Sequence, residues 1–270
     1  MKEITPIESK QLMVKMLDEL SRFCEAHQLR YYLTYGTLLG AVRHQGFIPW
    51  DDDLDVMMPR PDYEKLLELT KDGLAPSMRI DSFKRSPGYI YPFAKIIHED
   101  TLLIEDLYDY KAGVYLDIFP IDGLPEDPEL RKKKYHKMGV YRKLLSLAYK
   151  RKHHWDNPLK NIMMKILIQL IHLYGNKRIL ELIDKEVRSI DFDDSSIIGI
   201  IAWGYGGKEA CLKEEFIPQI ELPFETLKAK APANTHAWLT QVYGDYMTPP
   251  PLDKRSSPHI NTIFWLDKTK

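Results

Sequence analysis

IPWDDDLDVMM, residues 48–58, places four aspartates in five positions and brackets them with apolar residues on both sides. In a strand, alternate side chains point the same way. A strand over 53–58 therefore sends Asp53 and Asp55 out together and turns Leu54 and Val56 toward the core. Two carboxylates held so close repel each other, and burying them uncompensated costs several kcal/mol. A divalent cation between them resolves both problems. Hard oxygen ligands in small number, with room left for substrate phosphates, favour magnesium (Mg2+) or manganese (Mn2+) over zinc. The spacing of Asp51, Asp53 and Asp55, with Asp62 at the twelfth position, also suggests a calcium loop. Val56 stands where that loop needs glycine, and Pro59 and Pro61 interrupt it. A solvated acidic turn is the plain alternative, and the apolar flanks argue against it.

A third acid has similar surroundings. In VYLDIFPID, residues 114–122, Tyr115, Asp117 and Phe119 share one strand face, and Val114, Leu116 and Ile118 share the other. Aspartate is a poor strand former, so Asp117 has a specific task. It caps a loop or pairs with a lysine, or else it closes the metal site or takes a proton from an acceptor hydroxyl. Asp122, nearer the turn, is the weaker candidate. Upstream, Gly36-Thr37 sits where a strand enters a helix and offers free backbone N–H groups, a positive helix end and a hydroxyl to a phosphate. Arg43, His44, Lys95, Arg255 and His259 are further candidates to neutralise a diphosphate.

Around these motifs the pattern alternates. Thr5, Pro6 and Glu8 make a capping box and helix start, followed by Met13, Met16, Leu17, Leu20, Phe23 and Cys24 at helical spacing. A β-prone run over 30–35 stops at Gly36, and a short helix over 37–44 ends at Gln45-Gly46. Strands are expected over 79–83, 93–97, 114–121 and 224–230, and helices after Pro61, from 128 to about 189, and over 234–243. The fold class is α/β (α+β) with a helical insertion. The expected division is a catalytic core over 1–127, a basic helical insertion over 128–195, and a C-terminal segment over 196–270 that packs back on the core.

The composition, 44% hydrophobic and 29% charged over 270 residues, excludes a disordered or collagen-like chain. Two distant cysteines make no disulfide framework. MKEITPIESK has no apolar stretch, so a signal peptide is not expected, and no run is long enough to span a bilayer. The net charge of −1 hides a split. Residues 131–180 hold fourteen Lys and Arg against the single acid Asp156, which suggests an anionic partner. Within that segment, residues 161–174 read as a helix with one narrow polar stripe (Asn161, Lys165, Gln169, His172), either buried on most sides or lying in a membrane interface.

The run YLTYGTLLGAVRHQGFIPWDDDLDVMMPRPDY (32–63) closely resembles the signature of LicD proteins, the phosphocholine transferases related to fukutin. YLDIFPIDGLP (115–125) and the tail YGDYMTPPPLDKR…H (243–259) continue the likeness. The resemblance implies a nucleotidyltransferase-like mixed, twisted sheet with a Gly-Ser/Thr turn, here Gly36-Thr37. It also implies two acids on one strand, here Asp53 and Asp55, and a third on its neighbour, here Asp117, as catalytic residues and metal ligands. It further implies transfer of phosphocholine from CDP-choline to a sugar hydroxyl of a cell-surface glycan precursor, lipopolysaccharide or teichoic acid, with release of CMP. The acceptor is expected to be lipid-linked. The expected location is the cytoplasm, peripheral to the inner membrane face, with residues 131–180 on anionic lipid. Nucleic acid is not expected, because no binding module accompanies the charge. For choline, Tyr89, Tyr91, Tyr108, Tyr110, Tyr115 and Trp203 are available aromatic faces. The alternatives are a nucleotidyltransferase that releases pyrophosphate, or a non-catalytic nucleotide-binding scaffold.

Overall fold

The computed structural model describes residues 1–104, 110–149, 157–255 and 262–267. Its organising element is the ten-residue strand Tyr115–Leu124. One edge of this strand runs parallel to Asp55–Pro59, with Asp55 opposite Asp117 and Pro59 opposite Ile121. The other edge changes partner along its length. Its first half pairs antiparallel with Ala94–His98, Lys95 opposite Asp117, and its second half pairs with Ile197–Ile200. Pro120, which has no N–H to give to a ladder, lies at the changeover. Met78–Asp81, Tyr32–Leu33 and Cys211–Leu212 complete a mixed seven-stranded sheet. The α+β class expected from the motif order is what forms, with eight α-helices among the described residues.

The register places Asp55, Asp117 and Lys95 in one row across three strands. Leu54 and Val56 are fully buried and share a core with Leu116, Ile118 and the Met13, Met16, Leu17 and Leu20 face of helix Pro6–Ala26. The capping box forms as read: Thr5 Oγ1 accepts from the Glu8 N–H (3.2 Å), and Glu8 accepts from the Thr5 N–H (2.8 Å).

Three local readings need correction. The acidic strand begins at Asp55, so Asp53 lies on the approach to it and strand alternation does not align the two. Residues 51–54 make no ladder pairs, in keeping with the poor strand propensity of adjacent acids. The helix after strand Tyr32–Leu33 spans Tyr35–His44: it stops at a left-handed Gln45 (φ 57°) as expected, but starts two residues early, at Tyr35, which takes a left-handed φ of 45°. Gly36 is thus an early helical residue and does not stop a strand. Finally, the single strand expected over 224–230 is a hairpin, Gln219–Phe224 with Leu227–Pro232. Its turn residue Glu225 (φ 54°) carries no turn signal and is fixed by distant contacts. Its N–H donates to the Gln45 carbonyl (2.8 Å), and its carboxylate accepts from the Phe47 N–H (3.0 Å).

The basic segment folds as helices Pro128–Tyr149, Pro158–Tyr174 and Asn176–Val187. They bury Met138, Leu145, Ile171, Ile179, Leu180 and Ile183 together and join the sheet through Leu124, Ile201 and Ala202. Two acids weighed as functional are structural partners. Asp122 grips Arg60 through both oxygens (2.6 and 2.8 Å), and Asp62 accepts from Arg30 (2.6 Å).

Candidate active site

The row across the sheet is a chain of hydrogen bonds and charges. The Asp55 N–H donates to Thr37 Oγ1 (2.8 Å), so the threonine ties the helix start to the acidic strand. Lys95 Nζ donates to Asp117 Oδ1 (2.5 Å) and sits 3.7 Å from the ring centre of Tyr115, 4.7 Å from Tyr91 and 5.3 Å from Phe93. Pairing with a lysine is one of the four uses expected for an aspartate in mid-strand, and it joins Lys95 to Asp117.

Burial pushes the Asp55 carboxyl well above the usual carboxylate range. The charges of Asp53, Asp117 and Asp51 push the same way, and Lys95 partly offsets them. Asp51 is raised to about 7, first by burial and then by Asp53. Asp51, Asp52 and Asp53 each bring a carboxylate oxygen within 4.8 Å of the other two. Among the described residues no such group includes Asp55 or Asp117, and the cluster reaches Asp55 through the charges of Asp53 and Asp51. The sequence marks Asp51 only as part of a possible calcium loop. Its carboxylate lies where a side chain on Gly36 would be, 2.3 Å from the Cβ that any other residue would carry. Buried carboxyls at Asp51 and Asp55, each raised first by burial and then by neighbouring acids, with Lys95 as a neighbouring cation, are a donor set suited to a hard divalent ion.

Positive charge gathers beside it. The Arg255 guanidinium lies 5.1 Å from the ring centre of Trp50, and His44 meets the same ring edge-on at 6.3 Å. Arg43 donates to the Tyr246 carbonyl (2.8 Å); burial and then the charge of Arg255 lower its pKa. The structure thus brings together Arg43, His44 and Arg255, which lie on distant segments of the sequence. His259 and Tyr108 lie outside the described residues.

Aromatic side chains form the remaining wall. Tyr91 and Trp203 meet at 6.2 Å and both pack on Phe93. Tyr89 packs edge-on against Tyr91 (5.7 Å) and Tyr110 (5.1 Å), and Tyr110 hydrogen-bonds Asp81, so the wall continues from Tyr91 through Tyr89 to Tyr110. Three tyrosines not singled out in the sequence are also close. Tyr35 packs edge-on against Phe119 (5.1 Å) and Tyr205 (5.5 Å), and Tyr205 packs against Tyr243 (5.7 Å). The Asp55 charge raises the pKa of all three, though burial is the larger cause.

Behind Tyr35, its hydroxyl bonds to Glu209, a fully buried carboxyl that also accepts from the Gly206 N–H (3.1 Å). Burial raises Glu209 to about 8. The folded pKa lies above the unfolded one, so the native state holds a proton that the unfolded chain has lost. Stability therefore falls as pH rises from the ordinary carboxylate range toward 8. Glu209→Gln mimics the protonated acid. Between about pH 6 and 8 the wild type should lose on the order of 2 kcal/mol relative to this variant. Urea titrations at the two pH values measure the difference; parallel curves would refute the assignment.

The class that this fold defines is that of a nucleotidyltransferase domain. The family model described as "LicD/FKTN/FKRP, nucleotidyltransferase domain" matches residues 28–164. The chain belongs to this family. It is 31% identical over 270 residues to the lipopolysaccharide cholinephosphotransferase LicD of Haemophilus influenzae, an alignment that covers 98% of this chain and 100% of that protein. Uncharacterized proteins of Rickettsia typhi and Rickettsia prowazekii are each 28% identical over 131 residues, about half of this chain. No described helix is long and apolar enough to cross a membrane.

Proposed function

We propose that this protein transfers phosphocholine from CDP-choline to a sugar hydroxyl of a lipid-linked cell-surface glycan precursor and releases CMP. The observation that carries the reading is the buried row Asp55–Asp117–Lys95 with Asp51 and Asp53 beside it. The full-length likeness to a lipopolysaccharide cholinephosphotransferase supports it.

In the reaction, the acceptor oxygen attacks the phosphorus that carries choline, the bond from that phosphorus to the CMP oxygen breaks, and the acceptor proton passes to a carboxylate. Asp53, Asp55 and Asp117 would hold a magnesium or manganese ion, which when bound neutralises charge on the diphosphate. Thr37 holds the Asp55 backbone in register, and Lys95 holds Asp117 at the edge of the cluster. Arg43, His44 and Arg255 bind and orient the anionic donor from the other side. Tyr91 and Trp203 offer ring faces to the trimethylammonium group. Most of the rate enhancement asked of the chain is positioning and electrostatics.

The test is product analysis. With magnesium, CDP-choline and a lipid-linked sugar acceptor, CMP and phosphocholine-modified acceptor should form together. Release of pyrophosphate from CTP would support the nucleotidyltransferase reading instead. Absence of both products, across lipopolysaccharide and teichoic acid precursors, would favour a binding role.

A further inference from the structure

Helix Pro158–Tyr174 has two opposite faces. Its inner face is anchored: Ile171 is buried in the helical cluster, Leu167 packs against that cluster, and His172 Nε2 hydrogen-bonds the Ala148 carbonyl (2.9 Å). Its outer face is covered by nothing in the described chain. Leu159 (74% exposed), Ile162, Met163 (70%), Ile166, Leu170, Leu173 (83%) and Tyr174 all stand open. At ~100° per residue these seven fall within an arc of about 120° on one side of the cylinder. Lys160 and Lys165 fall on opposite flanks of that arc, and the segment 157–180 contains Lys160, Lys165, Lys177 and Arg178 with no acid. The Arg178 guanidinium lies 5.8 Å from the ring centre of Tyr174, at the rim of the apolar surface. The preceding helix adds exposed Lys132, Lys133, Lys137 and Lys143.

We infer that this face is a docking surface for an anionic phospholipid bilayer, with the helix lying flat in the interface. Charge selects the occupant. Seven apolar side chains in an unbroken stripe flanked by lysines match an interfacial helix, in which the stems of the flanking lysines cover apolar surface and their ammonium groups reach phosphate. A second copy of the chain would bring the same positive charge to the contact. At ~1.5 Å per residue the helix is about 25 Å long, sized to lie in the interface rather than span it.

Flotation with phosphatidylcholine vesicles, with and without phosphatidylglycerol, tests the inference without substrate or turnover, so its outcome is independent of the phosphocholine assay. The wild type should float with the anionic vesicles at low salt and far less with the neutral ones. Ile166→Glu with Leu170→Glu, both at exposed positions, should lower partitioning on the order of a hundredfold with an unchanged melting temperature. Replacing Lys160, Lys165, Lys177 and Arg178 with Gln should reduce anionic binding to the neutral-vesicle level. Wild-type protein that stays at the bottom of the gradient with anionic vesicles would overturn the inference, as would a double-Glu variant that floats like wild type. A concentration-dependent dimer that binds no vesicles and is dissolved by the same substitutions would assign the face to self-association instead.

Discussion

Asp55→Asn should abolish turnover and leave the metal-free protein at least as stable as the wild type. The expected loss of rate is on the order of a thousandfold or more. Asp55 sits in the middle of the sheet with its carboxyl desolvated and facing Asp53, Asp117 and Asp51, so in the absence of a cation its charge is a liability to the fold. Asparagine keeps the shape and removes the charge. The backbone N–H that bonds Thr37 is untouched by the change. The sign of the pH effect follows. The folded pKa is raised, so the wild type loses stability relative to the variant as pH rises above the ordinary carboxylate range. Magnesium should reverse the ranking: a ligand that binds only the folded state at a hundredfold excess over its Kd adds about 2.7 kcal/mol, and the variant should gain little. Thermal melts with chelator and with magnesium, beside a CMP assay, measure both halves. A variant that stays active, or melts far below the wild type in chelator, would contradict the site.

Lys95→Met should cost about 3–5 kcal/mol in urea unfolding. Lys95 is 5% exposed, and its ammonium is bonded to Asp117 and packed among the rings of Tyr115, Tyr91 and Phe93. Methionine fills much of that space but leaves the Asp117 charge without its ammonium in a buried row of acids. The double variant Lys95→Met with Asp117→Asn should therefore recover most of the loss, because the charge that needed compensation is gone. Activity should be lost in both, since Asp117 is either misplaced or absent. A Lys95→Met protein with wild-type stability and only a raised KM would instead make Lys95 a donor-binding group, as its sequence context first suggested.

How much of this could be read in advance depends on how far apart the interacting atoms are in sequence. The capping box of the first helix, the burial of Leu54 and Val56 and the helical character of the basic segment depend on residues a few positions apart, and they form as read. The hairpin turn at Glu225 and the left-handed start at Tyr35 could not be read that way. They go against local propensity and are held by distant partners, Phe47 and Gln45 in one case and Glu209 in the other. Asp51 was visible as one acid among four, but nothing local says that it fills the space Gly36 leaves open. Glu209, whose partner Tyr35 is 174 positions away, had no signal at all.

The chain by itself determined the α+β class, the acids of the proposed site, the family and the existence of an apolar helix in a basic segment, because each is carried by composition or by a pattern of short period. Tertiary structure alone decided that Asp117 meets Lys95, that Asp51 lies against Gly36, that Arg43 and Arg255 converge on the same side of the site, and that the apolar helix turns its stripe outward. Periodicity says which residues share a face. What that face meets is settled by sheet register and helix packing, and these depend on the whole chain.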